Sequence, residues 1–180
     1  TIDAEHLGAR HIDPPVHAAL ARATHAMSYA SALLAGTDWA LHLAASPGKQ
    51  ADLAQLALRM QQRLLAYAAA CALHGGDGNG ENERCIEPAA QDHRFDAPAW
   101  RRFPYNVMQQ SFLLAQAWWA EATRDVWAVE PHHAQQAAFA ARQWLDTMSP
   151  GNFWLTHPAV VERTLREGGA NFLRGASTPM

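Results

Sequence analysis

Apolar residues recur at alternating intervals of four and three in two long stretches of this chain of 180 residues. In the first stretch, from about Lys49 to Leu73, the periodic positions are Leu53, Ala57, Met60, Leu64, Tyr67 and Cys71. In the second, from Pro104 to about Val129, they are Met108, Phe112, Ala115, Trp119, Ala122 and Val126. Such spacing places each set on one face of a helix. Because no useful period-two alternation occurs, the sequence predicts an all-α helical bundle in two pieces, without significant sheet.

Prolines and glycines predict where the shorter helices of the first half begin and end. Pro14-Pro15 should precede a helix over residues 16–34, since proline is tolerated in a first turn. Gly36 should end that helix. Thr37 should then cap a short second helix through Ala45.

The same residue types predict three helices in the second half. Asp96 is expected to cap a short helix that holds Pro98 and Trp100. Pro131 should precede a helix whose apolar face is formed by Ala138, Ala141, Leu145 and Met148. A last helix should begin at Pro158 and end near Gly168-Gly169 or continue to Gly175.

Residues 75–91 are the least regular part of the chain, with four glycines and several polar residues. Such a composition predicts a flexible linker. Six of the seven tryptophans follow this stretch, and the balance of acids and bases also changes there. We therefore expect an N-terminal helical segment over residues 1–74, a linker over 75–91 and a second helical domain over 92–180.

Charge and cysteine content argue against several classes of function. A net charge of −3, with Lys49 as the single lysine, argues against a nucleic-acid binder and a polybasic membrane anchor. No segment reaches the roughly 18 apolar residues of a membrane span. Cys71 and Cys85 do not form a Cys-x-x-Cys pair, so we expect two free thiols and a location in the reducing cytoplasm.

The sequence shows no recognisable catalytic, metal-binding or phosphate-binding motif. No Ser or Cys has the flanking glycines of a strained nucleophile turn, and no glycine-rich phosphate loop occurs. Cys71-x-x-His74 lacks a second half-site, and adjacent residues such as His132-His133 point about 100° apart on a helix. Asp146 and Glu162 are expected on solvated helix faces. We therefore predict no catalytic residue, no metal and no cofactor in this chain.

Two stretches of the second half, DHRFDAPAWRRFPYNVMQQSFLL and SPGNFWLTHPAVVERTLREGGANFLRG, resemble the N-terminal region of polyhydroxyalkanoate (poly-β-hydroxybutyrate) synthases. That family shows an Asp-x-Arg-Phe…Pro-x-Trp opening, then Ser-Pro-x-Asn-Phe, Thr-Asn-Pro and a Gly-Gly pair. In the first half, DPPVHAALARATHAMSYASALLAGTDWALHLAASPGKQADLA is similar to a segment found ahead of it in some of these synthases. The expected motif, packing or interface residues are Asp38, Trp39, Phe95, Trp100, Pro150, Asn152, Phe153, Trp154, Pro158, Gly168 and Gly169.

The resemblance implies a non-catalytic region of a larger acyltransferase. Enzymes of that family polymerise hydroxyacyl groups from coenzyme A thioesters, with a Cys, an Asp and a His in an α/β-hydrolase-like catalytic half. None of those catalytic motifs has a counterpart here, so this chain alone should be inactive. The implied roles are oligomerisation, association with polymer granules and support of the catalytic half. Two alternatives stay open: a stand-alone phasin-like granule or adaptor protein, and a small enzyme with an unrecognised site.

The stretch SPGNFWLTHPAV at residues 149–160 predicts a fixed joint between two helices. Asn152 should bond to backbone amides of the turn. The side chains of Phe153, Trp154 and Leu155 should cover this joint. His157 stands where the family commonly has Asn, so Thr156 is expected to cap the last helix. The amphipathic last helix should face the catalytic half or a second copy. An ordinary helix corner with no role beyond packing is the alternative.

Overall fold

The computed structural model describes residues 13–16, 28–73 and 84–170. Its main helices, in chain order, are α1 (Tyr29–Ala44), α2 (Pro47–Leu73), α3 (Tyr105–Ala122), α4 (Pro131–Thr147) and α5 (Pro158–Arg166). Short 3-10 helices cover Pro98–Arg101 and Pro150–Asn152. No β-strand occurs within the described ranges, which confirms the predicted all-α class.

Helix α3 is the centre of the fold, because both apolar clusters of the described chain include its side chains. One cluster joins α3 to α2 and consists of Tyr67, Cys71, Cys85 and Leu114, with Met60, Leu64, Ile86 and Val107 packed against it. The other joins α3 to the preceding 3-10 helix and consists of Phe95, Trp100, Phe112 and Leu113, with Ile86, Tyr105 and Met108 alongside. Most of the periodic residues of α2 therefore share one packed face, as the sequence predicted, and this face contacts α3.

Helix α1 runs without interruption through Gly36 and Thr37, so the prediction of a helix end and a new cap there is wrong. A glycine inside a helix costs only about 1 kcal/mol relative to alanine. Next to it, Ala35 is fully buried, and α1 makes its most extensive packing contact with α4. That packing outweighs the weak local signal. Of the helix predicted over 16–34, residues 17–27 lie outside the described part of the chain.

Helix α3 ends at Ala122, seven residues before the predicted end near Val129. The chain then turns through Asp125 and Ala128, whose φ angles of 50° and 64° are incompatible with a continuing helix. Val126 is buried, but it lies in this turn rather than on the helix. The four-and-three pattern therefore predicted correctly that Val126 is buried and wrongly that it lies in a helix.

Proline sets the start of α4 and α5 as predicted. Pro131 is in the first turn of α4, and the Glu130 side chain caps this helix by accepting the N–H of His133 at 2.9 Å. Pro158 occupies the same position in α5, which ends at Arg166. Gly168 and Gly169 follow with φ angles of 57° and 87°, a conformation that glycine adopts without strain. The alternative end at Gly175 lies outside the described residues.

Two further predictions, one about a helix cap and one about a helix face, are wrong. The 3-10 helix at Pro98–Arg101 is preceded by Ala97 as N-cap, while the carboxylate of Asp96 contacts His93 Nδ1 at 2.8 Å instead. Met148, expected on the apolar face of α4, lies beyond its end and is about half exposed.

Helices from both sides of the predicted linker pack on each other, α1 on α4 and α2 on α3. Of the linker itself, residues 74–83 lie outside the described part of the chain. In the part that is described, Cys85 is buried. The Gln110 side chain accepts the N–H of Ile86 at 2.9 Å and donates to its carbonyl at 3.1 Å. The division into residues 1–74, 75–91 and 92–180 stays a prediction.

Candidate functional site

Asp38 of α1 contacts the start of α4 through its carboxylate. Oδ2 accepts a hydrogen bond from His133 Nδ1 at 2.8 Å and from the backbone N–H of Glu130 at 3.3 Å. Oδ1 lies 3.0 Å from Nδ1 of His42, one turn along α1. The His133 hydrogen bond is the main reason that the pKa of Asp38 lies below its ordinary value. An ionised Asp38 therefore joins α1 to the N-terminus of α4, where negative charge is favoured.

Trp39, the next residue, contacts the end of α3. Its indole N–H donates to the carbonyl of Ala122 at 3.0 Å, one of the last carbonyls of the helix. The ring lies 5.9 Å from that of Trp119, which in turn lies edge-on to Trp118 at 5.4 Å. The Asp38-Trp39 pair thus holds both ends of the turn between α3 and α4.

The tryptophan contacts continue from α3 to α2. Trp118 donates its indole N–H to the carbonyl of Leu53 at 3.1 Å. Nearby, the ammonium of Lys49 lies 3.2 Å from the Glu121 carboxylate. We call the set Asp38, Trp39, Trp118, Trp119 and His133 the helix junction. It connects α1, α2, α3 and α4 through polar groups that aromatic rings partly shield from water.

Arg94 fixes the segment that precedes the 3-10 helix. Its guanidinium binds both carboxylate oxygens of Asp92 at 2.8 and 2.7 Å and reaches Asp146 of α4 at 2.8 Å. It also lies over the ring of Phe112, 5.2 Å from the centroid. Arg94 lowers the pKa of Asp92, mainly by hydrogen bonding. Asp146 is therefore part of an ion-pair network, although 41% of its side chain is exposed, as predicted for a solvated helix face. Glu162 is exposed as well and pairs with Arg166.

Phe95 and Trp100, two of the motif residues, form the centre of the second cluster. Trp100 is fully buried, and its ring meets that of Phe95 edge-on at 4.9 Å. The ring of His157, just before α5, approaches Trp100 at 5.9 Å. Trp100 is therefore the aromatic residue that fills the corner between α4 and α5.

The residues predicted to cover that corner are largely exposed. Phe153, Trp154 and Leu155 have exposed fractions of 44%, 55% and 65%. The turn places them on the outside because Trp100 already occupies the inside, where Ser149 and Pro158 are also buried. These three side chains are therefore not buried in the corner, and the packing or interface role expected of Phe153 and Trp154 stays a prediction.

The hydrogen bonds of the corner also differ from the expectation. Asn152, at the end of the 3-10 helix Pro150–Asn152, donates to the carbonyls of Asp146 and Thr147 instead of binding turn amides. It thereby satisfies two of the last carbonyls of α4. Thr156 donates to the carbonyl of Pro150 at 2.6 Å, and His157 is the N-cap residue of α5 without a side-chain cap bond. Thr156 is therefore not the cap.

The two cysteines form no reactive site in the described structure. Both are free thiols buried beside Tyr67, and burial raises the pKa of Cys85. Asn106 donates to the sulfur of Cys71 at 3.3 Å, while burial raises the pKa of Tyr67 to about 12. A buried thiol with a raised pKa is a poor nucleophile. In the part of the chain that the structure describes, no group of three His, Cys, Asp or Glu residues could hold a metal ion.

An open groove of about 1240 Å³ lies between α3 and α4 and is bordered by residues 86–94. Its walls are formed largely by alanines and by the polar groups of Arg94, Gln116 and Arg142. Neither cysteine lines it. The groove therefore combines apolar and polar walls, and no thiol faces it. Within the described residues, no helix has the length and apolar character needed to cross a membrane.

The helix junction was only partly accessible from sequence. Asp38 and Trp39 were singled out by resemblance, but their partners His133 and Ala122 lie 95 and 83 residues away along the chain. Nothing local marks those partners. The ion pair between Asp92 and Arg94 could have been predicted, because Asp-x-Arg spacing lets these two side chains meet. The bond of Arg94 to Asp146 depends on tertiary packing and could not.

Comparison with known proteins gives matches in both halves of the chain. The family model described as poly-beta-hydroxybutyrate polymerase (PhaC) N-terminus matches residues 91–180. A second, described as poly-beta-hydroxybutyrate polymerase N terminal, matches residues 8–49. The first covers α3, α4 and α5, and the second covers α1. Asp38 and Trp39 therefore contact, from one matched segment, residues of the other.

Relatives with assigned names are much longer than this chain. The poly(3-hydroxyalkanoate) polymerase of Methylorubrum extorquens is 36% identical over 94 residues, which are 52% of this chain and 16% of that protein. The poly(3-hydroxyalkanoate) polymerase subunit PhaC of Rhizobium meliloti is 31% identical over 85 residues, 47% of this chain and 14% of the relative. No solved structure matches the chain. The family matches show that this chain belongs to the N-terminal regions of poly-beta-hydroxybutyrate polymerases.

Proposed function

We propose that this chain is the non-catalytic N-terminal region of a polyhydroxyalkanoate synthase and supports the catalytic half of that acyltransferase. The observation that carries the proposal is the contact between the two family-matched segments. Asp38 and Trp39 lie in one segment, and their partners Ala122, Glu130 and His133 lie in the other. A unit held together in this way can act as one body beside a larger partner.

The absence of a nucleophile–base pair in the described residues supports a non-catalytic role. The two thiols are buried, and Cys85 is disfavoured as a thiolate. The groove between α3 and α4 is lined by neither of them. We therefore assign the polymerisation of hydroxyacyl groups from coenzyme A thioesters to the catalytic half. The two free thiols are in keeping with the location that we propose, the reducing cytoplasm.

Association with the catalytic half is tested by sedimentation velocity. The purified chain is mixed with a separately expressed catalytic half of the Methylorubrum extorquens polymerase. We expect a complex that sediments faster than either component. If the two proteins sediment independently even at the highest concentrations at which both stay in solution, the proposal is contradicted.

Exposed leucines on α2 favour a second role, at the surface of polymer granules. Leu58, Leu65 and Leu73 have exposed fractions of 64%, 60% and 82%. Leu58 and Leu65 are seven residues apart and therefore lie on one side of the helix. Helices with such a face bind apolar interfaces. This surface is the part of the molecule that we propose for granule association.

Granule association is tested by co-sedimentation with purified poly-β-hydroxybutyrate particles. The double variant Leu58→Gln, Leu65→Gln should lose most of the bound fraction. The matched control, Gln55→Ala with Gln62→Ala, changes exposed positions of the same helix and should bind at least as well as the wild type. Equal binding of all three proteins would exclude this face. A dimer of the wild type that the leucine variant disrupts would assign the face to self-association instead.

The same exposed face is the observation that favours the alternative function, a stand-alone phasin-like granule or adaptor protein. The two functions differ in their need for the catalytic half. A phasin-like protein should bind particles without associating with the catalytic half, whereas the proposed synthase region should associate with it.

A further inference from the structure

Three buried polar atoms without a hydrogen-bond partner lie at the corner between α4 and α5. They are Nε1 of Trp100, Oγ of Ser149 and Nδ1 of His157. Within the described part of the chain, these are the buried side-chain nitrogen and oxygen atoms that remain unsatisfied. Buried polar groups are nearly always paired, because an unpaired one loses its hydration without compensation. Three unpaired atoms in one place therefore indicate a common partner.

The three side chains are neighbours at this corner. The rings of Trp100 and His157 are 5.9 Å apart and inclined by 71°. A Cβ placed on Gly151 would lie 3.9 Å from Ser149 Oγ and 4.0 Å from Trp100 Cζ2, close to the indole nitrogen. Trp100 and Ser149 have no exposed surface. A side chain at residue 151 would therefore contact both Ser149 and Trp100.

The chemistry of the three groups fits a single water molecule. An indole N–H only donates, a hydroxyl both donates and accepts, and a neutral imidazole nitrogen without hydrogen accepts. Water can accept from Trp100, donate to His157 and bond to Ser149, which gives the roughly three bonds typical of internal waters. The site has no charged group to hold an ion, and indole is not a metal ligand. The three polar atoms are buried, so they are out of reach of a macromolecular partner.

We propose that Trp100, Ser149 and His157 form a binding site for one internal water molecule. The water joins three separate elements: the 3-10 helix at Pro98–Arg101, the N-cap residue of the 3-10 helix at Pro150–Asn152 and the N-cap residue of α5. It thereby fixes the direction in which α5 leaves the helical body. This inference rests on the geometry of the corner and does not depend on the proposed function.

The site is tested by NMR on the full chain with ¹⁵N-labelled tryptophan. The indole proton of Trp100 should show a cross-peak to water with the sign of a long-lived, bound molecule. Trp127, which is 84% exposed, is the internal control and should show only rapidly exchanging water. Trp100→Phe assigns the signal by removing it.

Two variants identify the other ligands of the water. Ser149→Ala and His157→Phe should each weaken or abolish the cross-peak to Trp100. The matched control Thr147→Ala, at an exposed position of α4, should leave it unchanged. A Trp100 indole proton in the wild type with no bound-water cross-peak would overturn the proposal. So would a crystal structure in which Trp100 Nε1 bonds directly to Ser149 or His157. The wild-type measurement stands even where a variant fails to fold.

Discussion

Truncation of Trp100 should destabilise the protein far more than truncation of Trp154. Trp100 has no exposed surface and packs edge-on against Phe95 and Tyr105. Replacing a fully buried aromatic residue by alanine costs about 3–5 kcal/mol. For a chain of this length, each kcal/mol lowers Tm by roughly 2–4 °C, so Trp100→Ala should lower Tm by roughly 6–20 °C. Trp154 is 55% exposed, and Trp154→Ala should cost about 1 kcal/mol or less.

The assay is thermal and urea unfolding followed by circular dichroism at the helix band. Trp127→Ala, at a position 84% exposed, is the control for loss of a tryptophan and should change the free energy of unfolding by about 0.5 kcal/mol at most. A Trp154 variant as unstable as the Trp100 variant would refute the reasoning, because the corner would then be closed from the outside. A Trp100 variant as stable as the Trp127 variant would refute it equally.

Three further predictions concern charge, pH and thiol chemistry. Arg94→Met should lower the free energy of unfolding in urea by about 1–3 kcal/mol, because Asp92 and Asp146 lose charged hydrogen bonds. The control Arg84→Met, which removes a more exposed ion pair, should lower it by less than about 0.5 kcal/mol. The pKa of Asp38 and of Asp92 lies below 3.8 in the folded chain, so the unfolded chain binds more protons and stability should fall as pH drops below about 4. Asp92→Asn should reduce that dependence, and an unchanged slope would contradict its cause. Native protein should react with a thiol reagent at least 10-fold more slowly than urea-unfolded protein, because both cysteines are buried and the pKa of Cys85 is raised; equal rates would show an accessible thiol.

Helical periodicity and proline positions were enough to predict the fold class. The four-and-three spacing identified α2 and its buried face, including Leu53, Tyr67 and Cys71. Pro131 and Pro158 marked helix starts correctly, because a proline fits only the first turn of a helix without loss of a hydrogen bond. These signals are local, so they can be read without knowledge of the tertiary structure.

The errors arose where tertiary contacts outweigh local preference. Gly36 was read as a helix end, but the packing of Ala35 and Trp39 keeps α1 continuous. The apolar pattern extended α3 to Val129, although a buried residue such as Val126 can equally well lie in a turn. Trp154 was expected to cover the corner, but its side chain is 55% exposed, and the interior of the corner is filled by Trp100, about 50 residues earlier in the chain. The residues around Trp154 do not show that a distant tryptophan fills the interior of the corner.

Polymer synthesis by a chimeric enzyme tests the central claim most directly. This chain replaces the N-terminal region of the Methylorubrum extorquens polymerase, and coenzyme A release from 3-hydroxybutyryl-CoA is followed over time. We predict a rate above that of the truncated catalytic half, no release by the chain alone, and loss of the gain with Trp39→Ala but not with Leu41→Ala, whose side chain is exposed. A chimera no faster than the truncated enzyme, although folded and expressed at the same level, would contradict the claim that this helical region supports the catalytic half.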